Sequence, residues 1–389
     1  GADTLYYSRR YEPAIIKRDK QLKASLKTQG IQVKSFNANL LVEPWELETQ
    51  TGNPYQVFTP FWKKLLASPK PRAPFPKPKS IKAYDKKLKS LKLEDLKLLP
   101  KIHWDQGFYK KWQIGESSAQ KKLKEFLKNT VLNYQEARDF PAKAATSELS
   151  PHLHFGEISP HQIWEATNKA IQGRTKAEEK KALEFLREVA WREFAYHLLY
   201  YFPHTTKDPL KEKFKAFPWK QNKTDLKKWQ EGQTGYPIVD AGMRELWATG
   251  IMHNRVRMIV ASFLVKDLMI PWQEGAKWFW ETLVDADLAN NTLGWQWTAG
   301  CGADASPYFR IFNPITQASK FDPEARYIKT WIPELKEIPP PHIFKPWEAP
   351  QEVLEKAKIK LGQNYPKPMV DHALAREEAL EAYGRIKSK

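Results

Sequence analysis

The sequence predicts two parts: a remnant of a doubly wound, parallel α/β sheet at the amino end, and a large all-α domain after it. Three observations carry that prediction. A strand, helix, strand pattern occupies the first stretch, a proline- and lysine-rich run without apolar period follows, and helical periodicity dominates from Glu116 onward.

Thr4 to Ser8 reads as a strand, Pro13 opens a helix that Gly30 closes, and Ile31 and Val33 begin a second strand. That is one βαβ unit. A single unit cannot cover both faces of a parallel sheet, and such sheets are normally buried on both. The expectation is therefore a chain that begins inside an α/β domain whose earlier strands are missing, and Gly1 in the place of an initiator methionine agrees with it. From Ser68 to about Lys101 runs such as Pro69-Lys70-Pro71-Arg72 and Lys86-Lys87-Leu88-Lys89 read as an extended linker with solvated charges. Beyond it, helices are predicted over Lys121–Leu132, Lys180–Tyr200, Val239–Thr249 and Asn254–Leu268, broken at Gly232, Gly235-Tyr236-Pro237 and Pro271. No repeat of fixed period is present, which disfavours a solenoid. The predicted division is 1–62 for the partial α/β domain, 63–115 for the linker and 116–389 for the helical domain.

With 389 residues and 41% hydrophobic content the chain can bury one or two ordinary cores. Lysine and arginine number 63 against 45 acids, a formal charge of +18, so an anionic partner is favoured and nucleic acid leads; a solubilising coat of lysine is the alternative. The one cysteine, Cys301, excludes an intramolecular disulfide and a thiol metal cage, and points to a reducing, intracellular setting. No apolar run approaches the ~20 residues needed to span a bilayer and no signal peptide opens the chain, so a soluble, cytoplasmic protein without a membrane partner is expected. Sixteen tryptophans are heavy usage for side chains that must pack or stack.

Four constellations could carry chemistry. In Asp285-Ala286-Asp287-Leu288-Ala289-Asn290-Asn291-Thr292-Leu293-Gly294-Trp295-Gln296-Trp297, Asp287 and Asn291 share a helix face, and buried carboxylates beside an amide need a ligand or cations. A divalent metal is one reading, but no third carboxylate follows at ligand spacing, and none is expected. In Met252-His253-Asn254-Arg255-Val256-Arg257-Met258, Asn254 points with Arg257 and Met258, which also suits a helix with a plain polar edge. Glu188 and Trp191 share a face of an otherwise apolar helix, where an acid is either paired to an arginine or poised for a ligand. The hydroxyl-rich run Thr146-Ser147-Glu148-Leu149-Ser150-Pro151 can hold phosphates at a helix start or serve as ordinary capping. His152 and His154 beside it lack partners for a metal.

Taken in order, these motifs, with Gly232-Gln-Thr-Gly-Tyr-Pro-Ile-Val-Asp-Ala and Phe309-Arg-Ile-Phe-Asn-Pro314, resemble the DNA photolyase and cryptochrome family, and within it the class I cyclobutane pyrimidine dimer photolyases. Val57-Phe-Thr-Pro-Phe61 and Tyr365-Pro-Lys-Pro also look familial, so the likeness covers nearly the whole chain. It implies a truncated α/β antenna domain and an all-α domain that cradles FAD in a bent form. By similarity Tyr134, Thr146, Ser147, Leu149 and Ser150 would hold its phosphates and ribitol. Arg257 would pair with Asp285, Asp287 would contact the ribityl or adenine region, and Asn291 would face the reactive flavin nitrogen and favour the reduced anionic flavin. Glu148, Phe185, Arg192 and Ala286 would complete the cofactor set, although Phe185 stands where some relatives carry a flavin-contacting tryptophan.

The same resemblance implies that Glu188 hydrogen-bonds the pyrimidine edge of a flipped-out dimer, with Trp191, Trp297, Asn254 and Met258 lining its pocket; photolyases are themselves a standard case of base flipping. Arg138, Arg255, Arg310 and Gln317, beside Glu188, Trp191 and Asn254, would contact DNA, the first four holding backbone around the lesion. Trp295, Trp272 and Trp219 would form an electron-hopping route to the surface. The implied enzyme is a deoxyribodipyrimidine photolyase, a carbon–carbon lyase that acts as a monomer on DNA containing cyclobutane dimers and is nucleoid-associated. No antenna chromophore follows, because Tyr11-Glu-Pro-Ala-Ile15 lacks the acidic residue that folate-binding relatives use nearby. A cryptochrome-type blue-light receptor is the nearest rival; Trp297 and the Glu188–Asn254 pair stand against it. A six-four photolyase would carry a histidine pair where this chain has His253-Asn254, and a non-catalytic basic DNA-binding protein would take up no flavin.

Overall fold

The computed structural model describes residues 2–82, 84, 89–305 and 310–387; Gly1, Lys86-Lys87-Leu88 and Phe309 lie outside the described residues. β1 (Thr4–Ser8) and β2 (Gln32–Phe36) form a two-stranded parallel sheet, Thr4 opposite Gln32 through Ser8 opposite Phe36, with α1 (Pro13–Thr28) as the crossover. Proline in the first turn of α1 costs no helical hydrogen bond, because that amide has no partner there. Gly30 supplies the φ of 77° that turns the chain back into β2. The three elements lie where the sequence puts them. None of α1's residues is buried, and the unit is anchored through its connecting segments instead. Arg9 pairs with Glu43, and Tyr11, only 1% exposed, donates to Glu43 Oε2 at 2.7 Å and meets the Tyr196 ring edge-on at 5.9 Å.

The rest is helical. The helices are α2 (Phe58–Ala67), α3 (Gln106–Lys111), α4 (Glu116–Asn129), α5 (Tyr134–Ala137), α6 (Ser150–His154) and α7 (Pro160–Ile171). They continue as α8 (Lys176–Tyr201), α9 (Lys223–Gln230), α10 (Pro237–Thr249), α11 (Asn254–Ser262) and α12 (Trp272–Thr282). The last are α13 (Leu288–Ala299), α14 (Pro314–Phe321), α15 (Arg326–Trp331), α16 (Gln351–Lys356) and α17 (His372–Lys387).

Three positions of α2, Phe58, Phe61 and Leu65, fall on one face and bury against Ala190, Phe194 and Leu198 of α8. The helix spans residues 62 and 63, where the sequence places the end of the α/β part. After it, the described residues between 68 and 100 are mostly exposed, with a short 3₁₀ turn at Leu93–Leu96, in keeping with their proline and lysine content. Trp112 then ties the segment down, donating from Nε1 to the Thr249 carbonyl at 2.9 Å.

α8 is the spine of the helical domain. Thr175 and Glu178 cap its start reciprocally, so it begins four residues before the apolar pattern does. Its second half buries nearly every side chain, and α13 packs along it while also meeting α11 and α12. The stretch read as one helix over Asn254–Leu268 divides: α11 ends at Ser262 and a π-turn follows over Phe263–Asp267, closed by Leu268 N donating to Phe263 O at 3.0 Å. Asp267 in that turn is paired with His372, the first residue of α17. Among the described residues no helix is long and apolar enough to cross a membrane.

Phe61, 1% exposed and ringed by Phe194, His197 and Tyr55, holds α2 to α8. Phe61→Ala should lower the unfolding free energy by about 3–5 kcal/mol in urea titrations.

Candidate active site

α13 begins at a buried charge. Asp287, its N-cap residue, accepts at Oδ1 from the Asn290 amide at 2.8 Å and from Asn290 Nδ2 at 2.7 Å, while Tyr196 of α8 donates to Oδ2. His154, at the end of α6, places Nδ1 3.7 Å from the same oxygen. Burial alone raises this carboxyl, but the nearby His154 ring, the Arg192 charge and the Tyr196 hydroxyl outweigh it and hold it down at about 2. Two residues earlier, Asp285 receives both of its oxygens' bonds from Arg257 Nη2 of α11, each at 3.0 Å, and Arg257 Nε donates to the Met252 carbonyl at 2.7 Å. That ion pair, one guanidinium nitrogen shared between both carboxylate oxygens, accounts for the acid without a metal. Ala286, between the two acids, is half-buried against the main core. One turn into α13, Asn291 Nδ2 donates to the Ala276 carbonyl of α12 at 2.9 Å.

The hydroxyl-rich run leads into α6. Thr146 and Ser150 are exposed, Ser147 is half-buried, and among the described residues none of the three hydroxyls is engaged in a hydrogen bond. Glu148, at a positive φ of 49°, is turned to Lys111 (2.6 Å) and Lys122 (2.7 Å), and these lysines outweigh its burial and hold its carboxyl low. Leu149 is buried beside Tyr134 and Phe185, whose rings meet edge-on at 5.6 Å. Arg192 reaches away from these, to the Asn39 carbonyl at 2.7 Å and its side-chain oxygen at 2.5 Å.

The residues assigned to a lesion lie on α8, α11 and α13. Glu188 is half-buried and paired with Arg138, at the end of α5. Trp191 lies flat on Phe58 of α2, ring centroids 3.7 Å apart. Asn254 is the exposed first residue of α11, and Met258 and Trp297 are half-buried. Arg255, Arg310 and Gln317 line one open groove of about 470 Å³, with Asp139, Lys320 and Phe321. Trp295 and Trp272 are buried in the main core, and Trp219 packs on the same core from a more exposed position. Trp295 meets Phe279 edge-on at 5.0 Å, and its Nε1 is buried without a partner among the described residues.

Some supporting residues were missed in the sequence. Tyr196, Asn39 and Asp139 act through partners distant in the chain. Glu193 accepts from the Leu41 amide at 2.7 Å, and burial raises its carboxyl to about 7. Gly275 did carry a signal, since a glycine inside a helix needs a reason. A Cβ there would lie 2.1 Å from the Trp295 ring, so only glycine leaves that indole its seat.

Comparison with known proteins defines the class. Residues 185–385 match the FAD binding domain of DNA photolyase, and residues 1–79 match the DNA photolyase family. The deoxyribodipyrimidine photo-lyase of Agrobacterium fabrum is 50% identical over 388 residues, covering all of this chain and 80% of that protein. Cryptochrome-1 of Arabidopsis thaliana is 40% identical over 404 residues, covering all of this chain and 58% of its own length. The crystal structure of a bacterial class III photolyase from Agrobacterium tumefaciens superimposes with a TM-score of 0.95 at 50% identity, over all of this chain and 80% of that one. Fold and site together define a flavin-dependent enzyme of the photolyase type. The chain belongs to the DNA photolyase and cryptochrome family.

The residues present fit FAD. The unengaged hydroxyls of Thr146, Ser147 and Ser150 and the buried Trp295 Nε1, unpartnered among the described residues, are polar groups left unspent for a dinucleotide, while Arg257 and Asp285 satisfy each other.

Asp287 also sets an acid limit. A carboxyl depressed in the folded state contributes stability that is complete above about pH 4 and drains away as pH falls toward about 2. Asp287→Asn should lower unfolding free energy by about 2 kcal/mol at neutral pH and flatten the loss between about pH 4 and about pH 2 seen for the parent protein in urea melts.

Proposed function

We propose that the protein repairs cyclobutane pyrimidine dimers in DNA in a light-dependent reaction, working as a monomer inside the cell and associated with the nucleoid. The supporting observation is the position of α13: it carries Asn291 of the cofactor set, Trp295 of the electron route and Trp297 of the lesion set, while α8 with Glu188 and Trp191 and α11 with Asn254 pack against it. A lesion held there lies next to the cofactor set. The class I label rests on the motifs alone and stands beside a relative described as class III; the substrate is favoured by the name of the Agrobacterium fabrum relative, deoxyribodipyrimidine photo-lyase.

The chemistry that FAD supplies when bound, as its reduced anion, is donation of an electron under light to open the cyclobutane ring, followed by its recovery. The chain's own residues bind and orient. Arg257 locks Asp285 and keeps the cofactor wall rigid. Trp191 and Trp297 offer apolar faces to replace the stacking that a flipped dimer loses, and Asn254, exposed and with its side-chain amide unengaged among the described residues, offers an edge hydrogen bond. Glu188 hydrogen-bonds the pyrimidine edge where charge develops. Arg255, Arg310 and Gln317 hold backbone around the bound lesion and give register rather than selectivity, and Arg138 lies beside them, paired with Glu188 until the lesion engages it. Trp295, Trp272 and Trp219, graded from buried to partly exposed on one core, suit an electron route to the surface. We assign residues 1–62 to the α/β part, 63–115 to the connection, with α2 crossing that boundary, and 116–389 to the catalytic part.

A blue-light receptor is the second reading, favoured by the 40% identity to a plant cryptochrome. The purified protein should carry flavin absorbance and remove thymine dimers from single- and double-stranded DNA under blue light and not in the dark. Flavin photochemistry without dimer loss would select the receptor; a colourless protein would sink both. Trp295→Phe should abolish or severely slow photoreduction of oxidised flavin while chemically reduced enzyme still repairs. Glu188→Ala should weaken dimer binding by about tenfold to a hundredfold in filter-binding titrations, the worth of one hydrogen bond to a charged group.

A further inference from the structure

Two neighbouring residues at the end of α5 hold two of the proposed DNA-contacting groups. Arg138 is paired with Glu188 of α8, and Asp139 accepts from Arg255 Nη2 of α11 at 2.7 Å. Both pairs are partly shielded, with side chains between 17% and 34% exposed. Beyond the second pair lies the groove of about 470 Å³, where Arg255, Arg310 and Lys320 face Asp139 and Glu136. An acid on the wall of a groove meant for phosphate weakens binding to every DNA, damaged or not, unless it does something for selection. The groove is also short of partners: Arg255 Nε and Gln317 Oε1 are buried with none among the described residues, and the Arg255 guanidinium lies 4.3 Å over the Phe321 ring, at the groove wall.

We propose that Asp139 is a specificity-determining positioning residue, which withholds Arg255 from DNA phosphate until a lesion claims Glu188. This rests on the repair reading above. When the lesion takes Glu188, Arg138 loses its carboxylate. The acid nearest in sequence is Asp139, whose charge already acts on Arg138. Arg138 then pairs with Asp139, and Arg255 is released to a backbone phosphate. Charges balance at each stage: two internal ion pairs become one internal pair, one contact to the lesion and one to phosphate. Undamaged DNA offers Glu188 nothing, so with it the exchange does not start and Arg255 stays bound. The backbone contact, which carries no sequence or damage information by itself, is thereby made conditional on the lesion.

The test is equilibrium binding of the flavin-loaded protein to matched duplexes with and without one thymine dimer, across a salt series. Asp139→Asn should bind undamaged duplex roughly threefold to tenfold more tightly, the scale of one partly exposed ion pair. Its affinity for undamaged DNA should fall more steeply with salt, by about one unit of log–log slope for one added phosphate contact. Dimer affinity should change little, so the preference for damage shrinks. Asp139→Glu should restore the preference, and Asp139→Asn combined with Arg255→Gln should lose the gain. A merely structural aspartate would instead weaken both duplexes together and lower the thermal midpoint, and that result overturns the proposal. A parent protein that prefers dimers while Asp139→Asn keeps the same preference overturns the exchange alone. A parent protein with no preference for dimers removes the repair reading, and the exchange with it.

Discussion

One buried negative charge, on Asp287, sets the frame for the site. Taking a carboxylate out of water costs several kcal/mol unless donors and opposite charges surround it. Here the compensation comes from Tyr196 on α8, His154 on α6, and Asn290 in the first turn of α13. Because these belong to different elements, satisfying one charge aligns three helices. The start of α13 is therefore fixed by electrostatics as much as by packing, and the positions that follow it inherit that placement.

The same economy recurs nearby. Arg257 joins α11 to the residue pair before α13, and Asn291 joins α13 to α12 through the Ala276 carbonyl. Gly275, next to Ala276, leaves room for the Trp295 ring. A scaffold held by directional polar bonds on one side and by an indole seated on a bare backbone on the other has little freedom to relax. Such rigidity suits chemistry that depends on the distance between two bound groups rather than on moving side chains.

Parts of this were legible in the sequence. Pro13 and Gly30 mark the limits of the first helix because their backbone preferences act locally, and the strands on either side follow from residue type. The Arg257–Asp285 pair was legible through family likeness alone, since nothing local says that residues so far apart in sequence meet. The π-turn after Ser262 was not: Phe263, Leu264 and Val265 continue the apolar pattern, and widening by one residue leaves periodicity almost unchanged. Nor could Tyr196, Asn39 or Asp139 be picked out, because a tyrosine on a helix or an aspartate after an arginine is ordinary until its distant partner is known. Glu148 looked like part of a phosphate cradle from its hydroxyl neighbours, yet its carboxylate is committed to two lysines supplied from elsewhere in the chain.

The π-turn reaches beyond the core it interrupts. Its last residue, Asp267, is 3% exposed, and one of its carboxylate oxygens is paired with His372, the opening residue of α17. Trimming the protein before that final helix would strand an acid in the buried turn the helix packs against, so a shortened form would be expected to clump or be degraded rather than simply lose its tail. A tag placed after the helix leaves the same contact untouched.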